Sequence, residues 1–133
     1  MLGEFQLLDP HTLHPHEQID ARRLARLVEE LRAAGVFYPP VLVDRESLVI
    51  LDGHHRWHAA SRLGLVRLPC YVVAYLDNPG VRVMSRRPGI EVSKQSVLEM
   101  ARTGSVYPHK TTRHMYDLPE WIEPVPLDRL MHA

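Results

Sequence analysis

The chain has 133 residues, enough for one domain with a hydrophobic core. Hydrophobic residues make up 45% and charged residues 24%, and 16 basic side chains balance 16 acidic ones; this excludes a disordered polymer and a global positive field for nonspecific nucleic-acid binding. The single cysteine, Cys70, excludes an intramolecular disulfide and a multi-cysteine zinc site.

Residues 5–8 suit a short first strand, closed by Asp9-Pro10. A proline-interrupted loop follows, Leu13-His14-Pro15-His16-Glu17-Gln18. A helix is expected from about Asp20, because Leu24, Leu27, Val28 and Leu31 recur at helical spacing. Asp20 is its N-cap, Gly35 its stop, and Tyr38-Pro39-Pro40 forbids continuation. Residues 41–44 and 48–51, with the polar Arg45-Glu46-Ser47 between them, read as a β-hairpin. Gly53 opens a second helix to about Leu63, stopped by Gly64. Residues 66–76 are strand-like, with Pro69 indicating an edge position or an irregular start. Asn78-Pro79-Gly80 is a turn, residues 81–85 a further strand, and residues 86–91 a basic loop. Ser93 caps a third helix carrying Val97, Leu98, Met100 and Ala101, ended by Gly104. Residues 106–114 form a polar run expected to be loop, and residues 121–130 a proline-broken tail ending in a short turn. The expectation is a single α+β domain over residues 1–133, with a small mixed β-sheet and about three helices. No apolar run approaches membrane-spanning length, and the start lacks the basic and apolar stretches of a signal peptide. A cytoplasmic protein with no membrane partner is expected.

Asp52-Gly53-His54-His55-Arg56 falls where a strand ends and a helix begins. First-turn N–H groups lack intrahelical partners, the helix dipole adds partial positive charge, and glycine lets an anion approach the backbone. Arg56 can fork two phosphate oxygens, and His54 and His55 supply N–H donors. The result is a phosphate cradle without the Gly-x-x-x-x-Gly-Lys spacing of a P-loop. The plainer alternative makes Asp52 a helix cap and the histidines a solvated helix start. His54 and His58, four apart, could pair on zinc but lack an evident third ligand. His58 is assigned to packing or surface, and Trp57, Ala59, Ala60 and Leu63 mostly to core.

Glu17 lies just before the first helix. Made more basic by burial, it could serve as a general base; otherwise its charge simply favours the helix N-terminus. Lys110-Thr111-Thr112-Arg113-His114 concentrates two cations, two hydroxyls and an imidazole, all able to donate to phosphate. Two such clusters in one small domain point to a nucleotide.

Residues 51–60, Leu-Asp-Gly-His-His-Arg-Trp-His-Ala-Ala, resemble the signature of the ParB/sulfiredoxin superfamily. Three blocks fall in the order seen in ParB-like free serine kinases: Pro15-His16-Glu17-Gln18, Asp52-Gly53-His54-His55-Arg56-Trp57 and Lys110-Thr111-Thr112-Arg113-His114. The last is the discriminating one. The resemblance implies a ParB N-terminal/sulfiredoxin-like fold. It also implies a small-molecule kinase that moves a nucleotide phosphoryl group to the hydroxyl of free L-serine, giving O-phospho-L-serine. Glu17 would be the catalytic base. Asp52 would support catalysis through Mg2+ or the hydroxyl. Gly53, His54, His55 and Arg56 would bind donor phosphates, and Lys110, Thr111, Thr112, Arg113 and His114 would complete the phosphate or phosphoserine site. ATP or ADP is the implied donor and a free amino acid the acceptor.

The chain departs from that pattern in two places. Some relatives carry an extra subdomain between the strand at residues 81–85 and the last helix, where this chain has only residues 86–91. Ser85-Arg86-Arg87 stands where an aromatic is expected. The sulfiredoxin reaction needs a cysteine where His54 and His55 stand. Too little chain follows the cradle for the helix-turn-helix of the chromosome-partitioning branch, so nucleic acid is not an expected partner. The alternative reading is a ParB-like nucleotide-binding regulatory or DNA-associated module without kinase turnover. Nine histidines leave heme or metal ligation by such a regulator as a further reading.

Overall fold

The computed structural model describes residues 3–133. In chain order its elements are β1 (Gly3–Leu8), α1 (Ala21–Ala34), β2 (Val36–Phe37), β3 (Val41–Asp44), β4 (Ile50–Asp52), α2 (His54–Arg62), β5 (Leu68–Val73), β6 (Arg82–Ser85), α3 (Lys94–Arg102), β7 (Thr112–Met115), β8 (Val125–Pro126) and α4 (Leu127–Leu130), with a 3-10 turn at Pro10–Thr12. The main sheet has the order β1-β5-β3-β4. The pair β3/β5 is parallel, while β1/β5 and β3/β4 are antiparallel, so the sheet is mixed as expected. Two small ribbons, β2/β8 and β6/β7, complete the pairing.

Strand alternation divides the core into two layers, one on each face of the sheet. Leu68, Cys70 and Val72 of β5 pack with Val41, Val43 and Ile50 against Leu24, Val28 and Leu31 of α1 and Ala59 and Ala60 of α2. Tyr71 and Val73 point to the other face, where Leu42 and Leu51 meet Val97 and Ala101 of α3 and the buried Tyr75 and Ile122. A strand covered on both faces reads as a continuous apolar run, and all six residues of β5 are buried.

β5 is therefore central, which corrects the edge position, one of the two readings of Pro69, and leaves the other, an irregular start. The sheet tolerates the missing N–H because Pro69 lies opposite Leu7 of β1, one residue before the parallel ladder with β3 begins at Cys70. Among the described residues, the strand at β6 pairs only with β7, outside the main sheet. Lys110 to His114, expected as loop, is loop only to Thr111; Thr112–Met115 is β7. A fourth helix, the single turn α4, adds to the three expected. No helix among the described residues is long and apolar enough to cross a membrane.

Caps set the helix bounds. The Asp20 side chain accepts from the backbone N–H groups of Arg22 and Arg23, and Gly35 closes α1 at φ 72°. Ser93 and Ser96 exchange capping bonds at the start of α3. No side chain caps α2; its N-cap is Gly53, so Asp52 is not the helix cap.

Candidate active site

The cleft is assembled where three segments converge. His14 lies beside the start of β4, donating to the Leu48 carbonyl and accepting from the Ile50 N–H. Two residues on, Tyr107 donates to the His16 carbonyl and accepts from the Gln18 N–H. The segment carrying His16 and Glu17 is thus clamped on both sides, between the edge of the main sheet and the approach to β7. The β4–α2 junction supplies Asp52 and Gly53, and β7 supplies Thr112 and His114. The space between them measures about 620 Å³ and is lined by every residue anticipated for the site except Thr111.

Glu17 is half-buried and held through one oxygen. Its Oε1 accepts from the Thr112 N–H at 2.7 Å, the Thr111 N–H at 3.2 Å and the Thr112 hydroxyl at 2.8 Å. Oε2 has no hydrogen-bond partner among the described residues. Backbone donors thus hold this carboxylate. Thr111 serves through that N–H alone. Its side chain is fully buried and donates to the Pro108 carbonyl, which corrects its expected role as a phosphate ligand.

Gly53 sits at φ 108°, a conformation that side chains rarely adopt. A Cβ there would come within 3.0 Å of Arg56 Nη2 and 3.2 Å of a Val41 methyl. Arg56 is more committed than expected. Its Nη1 donates to both the Pro39 and Pro40 carbonyls, at 2.7 and 2.8 Å, and Nη2 lies 3.7 Å from Asp52. It braces the segment before β3 while still lining the cleft. Asp52 Oδ2 accepts from the Tyr116 hydroxyl at 2.6 Å; Oδ1 is uncommitted. Burial first, then the Asp52 charge, pushes the Tyr116 hydroxyl up, so it stays protonated as a donor.

The histidines are neutral. His54 Nε2 accepts from the His16 N–H at 3.1 Å, and His55 Nε2 accepts from the Asp20 N–H at 2.9 Å. An accepting Nε2 places the ring hydrogen on Nδ1, so each offers a ligand one donor at most. Burial holds His55 down to about 4, His114 to about 3 and His54 well below the ordinary value. His114 Nε2 meets the Tyr75 hydroxyl at 2.8 Å. His16, fully buried behind Glu17, donates from Nδ1 to the Ile50 carbonyl at 2.7 Å and places Nε2 3.0 Å from Thr112 Oγ1.

The cleft also contains residues with no clear signature in the sequence. Arg23, Arg26 and Glu30 of α1 line it, as do Tyr38 and Arg86. Their spacing on α1 is that of an ordinary solvated helix face, and only the packing of α1 beside α2 turns that face toward the site. In all, six basic side chains (Arg23, Arg26, Arg56, Arg86, Lys110 and Arg113) and three carboxylates (Glu17, Glu30 and Asp52) line the cleft. A chain of zero net charge thus concentrates positive charge at one place. Cys70 is not among the lining residues.

No group of three or more His, Cys, Asp or Glu residues among the described residues could cage a metal. Mg2+ ordinarily takes only one or two carboxylates together with substrate phosphates and keeps several waters. The uncommitted Oδ1 of Asp52, at the cleft wall, fits that donor set.

Among known proteins, the ATP-dependent L-serine kinase of Staphylothermus marinus is 35% identical over 97 residues, covering 70% of this chain and 38% of that protein. The ADP-dependent L-serine kinase of Thermococcus kodakarensis is 27% identical over 100 residues, covering 72% of this chain and 41% of that protein. The chain thus spans about two fifths of the length of these relatives. A solved structure of a free serine kinase in complex with AMP superposes with a TM-score of 0.78 at 19% identity, covering 95% of this chain and 93% of that one, a likeness of fold. Residues 4–86, well over half of the chain, match the ParB N-terminal domain, and the chain belongs to that family.

Proposed function

We propose that this chain is a nucleotide-dependent kinase that phosphorylates the hydroxyl of free L-serine. One observation carries the reading: a carboxylate anchored through Oε1 and open at Oε2 shares a cleft with an uncapped helix start and six basic side chains. Phosphoryl transfer asks a protein mainly for positioning and charge neutralisation, which such a cleft offers. The relatives' names supply the acceptor and the donor classes, ATP in one and ADP in the other.

In this reading Glu17 Oε2 takes the proton of the serine hydroxyl as its oxygen bonds to the terminal phosphorus and the nucleotide leaves with the electrons of the broken P–O bond. The start of α2, from Gly53 to Arg56, receives the donor phosphates. Lys110, Thr112, Arg113 and His114 face the transferred group from β7 and the loop before it. Asp52, oriented by Tyr116, would hold Mg2+, which when bound neutralises charge on the phosphate oxygens. Residues 1–133 act as one domain in the cytoplasm, without nucleic acid.

Phosphorus NMR of the purified protein with Mg2+, L-serine and either ATP or ADP tests this. A phosphoserine resonance, with the nucleotide shortened by one phosphate, is expected and identifies the donor. Nucleotide binding without phosphoserine would replace the kinase with a ParB-like nucleotide-binding module.

A further inference from the structure

The basic stretch after β6 sends its two arginines different ways. Arg86 lines the cleft, and its backbone N–H donates to the Thr111 carbonyl at 2.8 Å, extending the β6/β7 pairing by one residue. Arg87 is not among the lining residues. Its half-buried side chain donates from Nε and Nη2, at 3.0 and 2.6 Å, to one acceptor, the His109 carbonyl. No carboxylate among the described residues forms an ion pair with it. A guanidinium fork is thus spent on a single backbone oxygen.

That oxygen belongs to the peptide joining His109 to Lys110, and Lys110 has a φ of 58°. The left-handed conformation crowds a Cβ, and a residue other than glycine keeps it only where its surroundings enforce it. Rotation of the His109–Lys110 peptide is the movement that returns Lys110 to negative φ, and Arg87 grips that peptide by its oxygen. The neighbouring anchors hold other peptides. Tyr107 pairs with His16 and Gln18 before the turn, and the Arg86 N–H holds the Thr111 carbonyl after it.

The turn at residues 108–111 is also closed in an unusual way. In an ordinary four-residue turn the first carbonyl accepts from the N–H of the fourth residue. Here the Pro108 carbonyl accepts from the Thr111 hydroxyl at 2.6 Å. The Thr111 N–H is thereby released to meet Glu17 Oε1, beside the Thr112 N–H.

We propose that Arg87 is a positioning residue: by holding the His109 carbonyl it keeps Lys110 left-handed and so aims the Thr111 and Thr112 N–H groups at Glu17. Arg87, outside the cleft lining, acts only through the turn. The consequence for catalysis rests on Glu17 and Lys110 serving the kinase proposed above.

Arg87→Ala tests the grip without turnover. Exchange of the Thr111 and Thr112 amide hydrogens, followed by NMR, should speed up by about tenfold or more beyond any change in the amides of Tyr107 and β5, which report on wider opening. A crystal structure of the variant should show Lys110 at negative φ. The kcat for phosphoserine formation should fall by about tenfold or more. Ethylguanidinium, added below denaturing concentrations, should restore part of the slow exchange and part of the rate. Arg87→Lys keeps the charge and the aliphatic stem but not the fork; it should fall between wild type and Arg87→Ala, and it carries the test if Arg87→Ala fails to fold. Amides at Thr111 and Thr112 that loosen no more than those of β5, or Lys110 still at positive φ, would overturn the proposal. So would loosened amides with an undiminished rate. Loosened amides in the variant, with no phosphoserine even from the wild-type protein, would uphold the grip of Arg87 on the turn and overturn the kinase reading.

Discussion

Glu17 and Arg56 show how one side chain divides its polar atoms between structure and ligand. Glu17 commits Oε1 to backbone donors and leaves Oε2 open. Glu17→Gln keeps the size and an acceptor oxygen but cannot take a proton. Transfer should fall by about 10²–10⁴-fold while nucleotide affinity, measured by calorimetry, stays at the wild-type value. Near-normal turnover would remove Glu17 as the base. Arg56 divides itself differently, with both hydrogens of Nη1 on the Pro39 and Pro40 carbonyls. Arg56→Ala leaves both carbonyls short of a partner, so it should cost roughly 2–4 kcal/mol of stability in urea unfolding as well as weakening nucleotide binding. Loss of affinity with unchanged stability would mean that the brace contributes nothing.

At the scale of elements, the β4–α2 junction depends on Gly53. Its positive φ strains any side chain, and a methyl group there would crowd Arg56 and Val41. Gly53→Ala should destabilise the protein by about 1–3 kcal/mol and displace Arg56, which a crystal structure of the variant would show directly. This junction was legible in the sequence because strand end, glycine and helix start are contiguous. So was α1, where Asp20, the apolar stripe and Gly35 each act locally. β7 was not legible. Thr-Arg-His-Met has no apolar alternation, and it becomes a strand because β6 lies beside it and its alternate residues face Glu17, His16 and Tyr75. The central place of β5 was hidden for a related reason: Pro69 is an edge signal, and only the offset of the β3 ladder makes it harmless. Arg86 and the α1 arginines reached the cleft, and Tyr116 reached Asp52, through tertiary packing, which sequence spacing does not encode.

The whole molecule carries a cluster of neutral histidines in its interior. Burial holds His16 and His55 to about 4, His114 to about 3 and His54 well below the ordinary value. The unfolded chain protonates the same residues near pH 6.5, so folded and unfolded states bind equal numbers of protons above that pH. Below it the unfolded state gains protons first, and stability falls as the pH drops toward about 4, by up to about 1.4 kcal/mol per pH unit for each of His16, His54 and His114, and by less for the partly exposed His55. Urea unfolding followed between neutral pH and pH 4 should show midpoints that decline steadily; a flat series would mean that the imidazoles are solvated. Cys70 reports on the same transition from the centre of the sheet. It is the chain's single cysteine, its side chain is fully buried between β1 and β3, and burial pushes its thiol up to about 12. Only a thiolate reacts with an alkylating reagent, so the folded protein is inert and every labelled molecule has opened its central strand. The rate of labelling is therefore a clock for openings of the core, and a bound nucleotide that favours the closed state would slow it in proportion to its occupancy.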